Sequence, residues 1–266
     1  MSGNPYFAGT LLIAGVVGWM SLLRVYQRLR TPNPEWLRKL VHVPGGLLAL
    51  SMPFLFSEPR PLLFTCGLFV LVVVVVRNSR NLKQGIGAVL GSVSRRSNGE
   101  LWFPVSIAFL FVLCHGDFLL YSIPLLILTF ADAAAALVGT HWGEMRYASG
   151  EGTKTIEGSL AFFAVAFLTA GIPLALSQTR PDARAILIAF LLALALSVTE
   201  GVCRNGLDNL VVPVAGFYLL RWLLIFSTGQ LVLCLAMALA LTAGALHHLT
   251  KGRIAVHAVD GLPDAR

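Results

Sequence analysis

Charge is scarce in this chain. Of its 266 residues only 12% are Asp, Glu, Lys or Arg, against roughly 25% in soluble globular domains. That excludes an ordinary soluble fold, whose surface would lack charge. Cysteine offers no framework either. Cys66, Cys114, Cys203 and Cys234 form no CxxC pair and mostly lie in apolar stretches. They read as small core hydrophobes, with neither a disulfide scaffold nor a zinc site. No Walker A loop and no Gly-rich protein-kinase loop occurs, which excludes a nucleotide fold of the soluble type. No internal repeat is evident.

What is abundant is apolar sequence. Hydrophobic residues make up 56% of the chain and the mean hydropathy is +0.77. Helices are predicted at about 7–25, 40–56, 61–76, 101–115, 117–139, 157–176, 184–200, 208–226 and 229–249. Several approach the ~20 residues that cross a bilayer core. The expected architecture is all-α, a polytopic membrane protein of eight or nine transmembrane helices, the run at 101–115 being short for a span. These crossings use most of the chain, which predicts one membrane domain over 1–266.

The basic residues set the expected orientation. No positive charge precedes the apolar run Phe7 to Leu23, and Arg24, Arg28 and Arg30 follow it. This is the pattern of a first transmembrane helix with its N-terminus outside, rather than a cleaved signal. Alternating from there puts sixteen of the twenty Lys and Arg residues inside, leaving Arg60, Arg180, Arg184 and Arg221 outside. The net charge of +7 therefore sits beside the bilayer. It favours lipid headgroups or phosphorylated substrates as partners, and not nucleic acid.

The acidic residues fall on the same inner side. Asp132 lies about two turns inside the fifth predicted helix, where a carboxylate costs several kcal/mol unless something compensates it. Asp132, Ala136, Gly139 and Gly143 share one helical face, small enough for close approach of another helix or a ligand. The run Gly152-Thr-Lys-Thr-Ile-Glu-Gly-Ser159 is expected to open the sixth helix. A helix N-terminus suits an anion. Lys154 adds a charge there, Thr155 and Ser159 add hydroxyls, and Glu157 adds a carboxylate. Glu200 and Asp208 flank a Gly-containing turn between the seventh and eighth helices, with Asp208 also suited to cap the latter. Asp132, Glu157, Glu200 and Asp208 are thus the candidate ligands for Mg²⁺, which takes hard oxygen donors and substrate phosphates. Near the second helix, Arg38 and His42 share a face and could hold a phosphate or a lipid hydroxyl, or simply anchor the interface. Glu100 starts the fourth helix, where its charge suits the dipole.

These motifs together resemble the CTP-using membrane kinases of lipid alcohols, which include dolichol, polyprenol and phytol kinases and the CTP-dependent diacylglycerol kinases. Phosphatidate cytidylyltransferases are more distantly similar. The central block is Asp132-Ala-Ala-Ala-Ala-Leu-Val-Gly139, Gly143 and Thr153-Lys154-Thr-Ile-Glu157-Gly158-Ser159. Around it stand Arg38-Lys39-x-x-His42-x-x-Gly45, Arg96-x-x-Gly99-Glu100-x-x-x-Pro104 and Glu200…Asp208-Asn209…Pro213. The resemblance covers residues 38 to about 213. It implies γ-phosphoryl transfer from CTP, with Mg²⁺, to the hydroxyl of a long-chain lipid alcohol at the cytoplasmic face. Asp132, Lys154, Glu157 and Asp208 are then the expected catalytic residues. Lys39 and Asn209 join Arg38, His42, Glu100, Gly139, Gly143, Thr155, Gly158 and Ser159 as binding residues. The late Pro-Gly-His-Gly-Gly run of the cytidylyltransferases is missing, which argues against nucleotidyl transfer. A transporter using the same carboxylates would show paired repeats and broken midplane helices.

Overall fold

The computed structural model describes residues 4–89, 98–149, 152–177 and 182–241. Arg95 and Arg96, and residues 242–249 of the last predicted helix, lie outside the described residues. The chain divides into two compact units, Met1–Leu224 and Ile225–Arg266, and every candidate site residue belongs to the first.

The protein is an all-α polytopic membrane protein. Among the described residues its longer helices are α1 (Pro5–Arg30), α2 (Pro34–Leu50), α3 (Pro59–Asn78), α4 (Gly99–Cys114), α5 (Phe118–Trp142), α6 (Ile156–Leu176), α7 (Ala183–Val202), α8 (Asp208–Ile225) and α9 (Thr228–Leu241). Six of them, α1, α3, α5, α6, α7 and α8, are long and apolar enough to cross a membrane. In the second unit, α9 begins at a Ser227–Gln230 cap in which each residue bonds the other's backbone N–H.

Several starts are written in the sequence. Asn4, Asn33 and Asp182 cap α1, α2 and α7 by accepting a backbone N–H two residues on. Pro follows immediately at α1 and α2, where its missing N–H costs nothing. This cap starts α2 at Pro34, six residues before the predicted helix 40–56. The helix ends at Leu50, and Met52–Leu55 forms a separate turn. Within α2, Pro44 has no N–H for the Leu40 carbonyl one turn back. The indole Nε1–H of Trp19 on α1 donates to that carbonyl instead, at 2.9 Å. In lipid, where water cannot serve, this repair ties α1 to α2.

The packing surfaces are small where helices run close. Helix α6 packs along α7, and Phe162, Ala166 and Ala170 of α6 and Ala185, Ala189 and Ala193 of α7 are buried. Such surfaces let helices associate in lipid without a hydrophobic drive. A second core joins α2, α3, α4, α5 and α8 through Ala49, Leu62, Leu110, Leu125 and Phe217. There Tyr121 is fully buried and its hydroxyl donates to the Ala49 carbonyl at 2.8 Å.

Two features depart from the predicted helices. The helix expected at 117–139 is interrupted by a π turn at Ile127–Ala131, directly before Asp132. And Gly152–Thr155, the segment that leads into the sixth helix, is not a loop. It is a strand, β2, paired antiparallel with β1 (Arg146–Ser149), Tyr147 opposite Lys154. Tyr147, Thr153 and Thr155 suit a strand, and α6 starts at Ile156, one residue before the predicted helix 157–176, capped by Thr155, whose Oγ1 accepts from Gly158 N–H at 3.1 Å.

Candidate active site

Three elements deliver a carboxylate to one place. Asp132 follows the π turn of α5, Glu200 stands in the last turn of α7, and Asp208 begins α8. The α7–α8 connection reverses through Asn205 (φ 53°) and Gly206 (φ 78°), both left-handed, a conformation these two residue types accept. That reversal folds Asp208 back on Glu200. One oxygen from each of Asp132, Glu200 and Asp208 lies within 4.8 Å of the others. Asp132 and Glu200 are buried, Asp208 half-buried.

Two lysines face them. Lys39, 3% exposed on α2, places Nζ 2.5 Å from Asp132 Oδ2. One turn on, His42 Nε2 lies 3.0 Å from the Leu128 carbonyl and 3.4 Å from Asp132 Oδ2. A carbonyl can only accept, so this nitrogen carries the hydrogen. Lys154 on β2 places Nζ 2.5 Å from Glu200 Oε1 and also donates to the Glu200 carbonyl. Asp208 makes no ion pair among the described residues; its Oδ1 accepts from Asn209 N–H at 3.1 Å. Asn209 is 8% exposed and its Oδ1 is buried without a partner. Beside the turn, partial burial, with Asp208 nearby, raises the Cys203 thiol above its ordinary range.

The remaining predicted residues take other places. Glu157 stands apart from the three carboxylates. Its Oε1 accepts from Met145 N–H at 3.1 Å, while Ile156 N–H donates to the Met145 carbonyl, so the pair of bonds clamps the hairpin to α6. Ser159 Oγ meets Tyr147 Oη at 2.7 Å in the same clamp. Gly139 and Gly158 are where α5 and α6 come closest: a Cβ on Gly158 would lie 2.9 Å from the Ala135 carbonyl and 3.3 Å from Gly139 Cα. Gly143 packs on Thr155 of the cap. Arg38 turns to Glu35 at 2.9 Å, so Lys39 and not Arg38 reaches Asp132. Glu100 pairs with Arg77 at 3.3 Å, and Arg77 also donates to Asn98 Oδ1.

A cavity of about 1350 Å³ opens beside this cluster, between α1, α2, α3 and α4. One end is polar, with Arg24, Arg38, His42, Arg77, Glu100 and Asn209. The other is apolar, with Leu12, Val16, Ala49, Met52, Cys66 and Ile107. Sequence reasoning did not find Arg24, Arg77 or Tyr147 as neighbours of the site. The basic ends of α1 and α3 were visible, but not that they converge.

The arrangement offers hard oxygen donors, buried ammonium groups and an adjoining apolar space. It can hold a divalent cation with an anion beside an apolar molecule. No protein-family model and no solved structure matches the chain. A phytol kinase of Synechocystis sp. does: it is 31% identical over 226 residues, which are 82% of this chain and 92% of that kinase. At that identity over most of both sequences, the chain belongs to the phytol kinase family of membrane lipid-alcohol kinases.

Proposed function

We propose that the protein transfers the γ-phosphoryl group of CTP to the hydroxyl of a long-chain lipid alcohol, using Mg²⁺. The reaction takes place on the cytoplasmic side of a single catalytic membrane domain whose N-terminus lies outside. The observation that carries this reading is that three carboxylates and two lysines gather beside His42 and Asn209, which line the polar end of an apolar cavity. An enzyme joining a phosphate donor to a lipid needs those two environments side by side. CTP as donor rests on the motif resemblance.

Asp132, Glu200 and Asp208 fit Mg²⁺ as oxygen donors. Bound there, the ion would neutralise charge on the transferring group. Magnesium sites usually take one or two carboxylates beside substrate phosphates, which leaves one over. Asp208, the carboxylate without a lysine, accepts the alcohol proton. The alcohol oxygen then bonds the γ-phosphorus as the bridge to the β-phosphate breaks, and CDP leaves. Lys154 holds phosphate oxygens. Lys39 and His42 fix the Asp132 carboxylate, so that its position is set before substrate arrives. Arg38 holds a phosphate at the cavity mouth, and Asn209 receives the hydroxyl.

Purified protein with Mg²⁺, γ-labelled CTP or ATP, and lipid alcohols tests this. Label enters the organic phase with the parent and is lost in Asp132→Asn and Lys154→Ala. No transfer from either nucleotide to any alcohol would overturn the reading.

A further inference from the structure

The cations near the site form two sets. Lys39 and Lys154 face the carboxylates and do not line the cavity. Arg24, Arg38, Arg77, Arg80 and Lys83 line its polar end, and the carboxylates lining it with them are Glu35 and Glu100. Five cations against two carboxylates leave an excess of three positive charges at the mouth. Glu35 is taken by Arg38 and Glu100 by Arg77; among the described residues Arg24, Arg80 and Lys83 pair with no carboxylate. Arg24 is half-buried. Its two Nη atoms donate to Gln27 Oε1 and to the Gln84 carbonyl, each at 2.8 Å. Its Nε is buried without an acceptor, and a buried guanidinium N–H calls for an anion. These cations also stand over the apolar part of the cavity. Arg24, Met20 and Val16 line it in steps of four along α1, and Arg77, Val73 and Phe69 do so along α3. Residues four apart share a helical face, so each arginine ends an apolar strip. Arg77 is tied to the carboxylates as well. It donates to Asn98 Oδ1, and Asn98 N–H donates to the Asn205 carbonyl in the turn that leads to Asp208.

A neutral alcohol gives such a mouth no charge to bind. A lipid phosphate monoester brings a charge of about −1.5 to −2 at pH 7, attached to a tail that suits the strips below. We infer that Arg24 and Arg77, with Arg80 and Lys83 beside them, form a seat for the phosphate of a lipid phosphate monoester whose tail lies in the cavity. The inference rests on the lipid-alcohol kinase reading above, because that transfer makes such a monoester next to Arg77. The protein then holds its phosphorylated lipid more tightly than the alcohol it came from, and the product competes with the next alcohol for the cavity.

The test measures equilibrium binding of labelled phytyl phosphate and phytol to the full-length protein in phosphatidylcholine nanodiscs. Phytyl phosphate binds about tenfold or more tightly than phytol, the worth of one hydrogen bond to a charged group. Added salt weakens the phosphate and not the alcohol. In Arg24→Gln the phosphate loses most of its advantage while phytol binds as it does to the parent. Lys83→Gln, a change at an exposed position, lowers the advantage in the same direction without touching the buried guanidinium. Equal binding of phosphate and alcohol would overturn the seat. So would displacement of phytyl phosphate by equimolar inorganic phosphate, which would mark a site for free anions, or by equimolar phosphatidylglycerol, which would mark a site for bilayer lipid. Tight, salt-sensitive binding of phytyl phosphate to a parent that phosphorylates no alcohol would leave the seat standing and sink the kinase reading instead.

Discussion

Lys39 Nζ lies 2.5 Å from Asp132 Oδ2, the two residues 93 positions apart and both buried. Neither charge is tolerable alone in that place. A buried ion pair adds little over an apolar pair, but removing one partner strands the other.

Lys39→Met should therefore destabilise the protein by about 3–5 kcal/mol. Adding Asp132→Asn to it should recover part of that loss while activity stays absent. Thermal unfolding in detergent beside phosphoryl transfer checks this. A single variant as stable as the parent would show that the pair is not buried in the folded protein.

Asp208→Asn removes the proton acceptor while leaving the lysine pairs in place. The kcat should fall about 100-fold or more, the usual worth of a positioned base. Binding of a fluorescent nucleotide should persist. Full activity would move the base elsewhere, with His42 the next candidate.

Chelation should separate function from stability. Lys39 and Lys154 already compensate Asp132 and Glu200, so the fold does not need a cation to cancel those charges. EDTA should abolish transfer, Mg²⁺ should restore it, and the unfolding midpoint should barely move. A large drop in that midpoint would mean the ion is structural.

Gly158→Ala places a methyl 2.9 Å from the Ala135 carbonyl. Helix α6 must back away from α5, at about 1–3 kcal/mol. Lys154 and Asp132 sit on either side of that contact, so activity should fall as well. Differential scanning fluorimetry with the label assay reads both.

Much of the helix framework is legible because apolar runs between charges admit few other readings. The carboxylates of the α7–α8 turn are legible too, since Asn205-Gly206 encodes a tight reversal. The hairpin at 146–155 is not. It is four residues a side, and its Gly and Thr residues suit a helix-opening loop as well as a strand. Lys154 was expected beside a helix N-terminus and does stand one residue before the Thr155 cap, but on a strand and held by Glu200. Lys39 is a third kind of case. A lysine near a helix start reads locally as an interfacial anchor, and only the fold shows that Asp132 lies opposite. The available signal was that each of these charges required a partner.

The π turn at Ile127–Ala131 amounts to one residue more than the α-helical path it replaces. One residue is about 100° of rotation. The half of α5 that bears Tyr121 and Leu125 and the half that bears Asp132 and Gly139 are thus out of phase, and a single helical wheel drawn over 118–142 would aim Asp132 at the wrong neighbour. The placement of this carboxylate is owed to an insertion. Removing one residue within Ile127–Ala131 would close the turn to a plain α-helix with Asp132 still facing Lys39, whereas winding the turn into an α-helix without that removal would swing Asp132 about 100° away, with every side chain of the site still present.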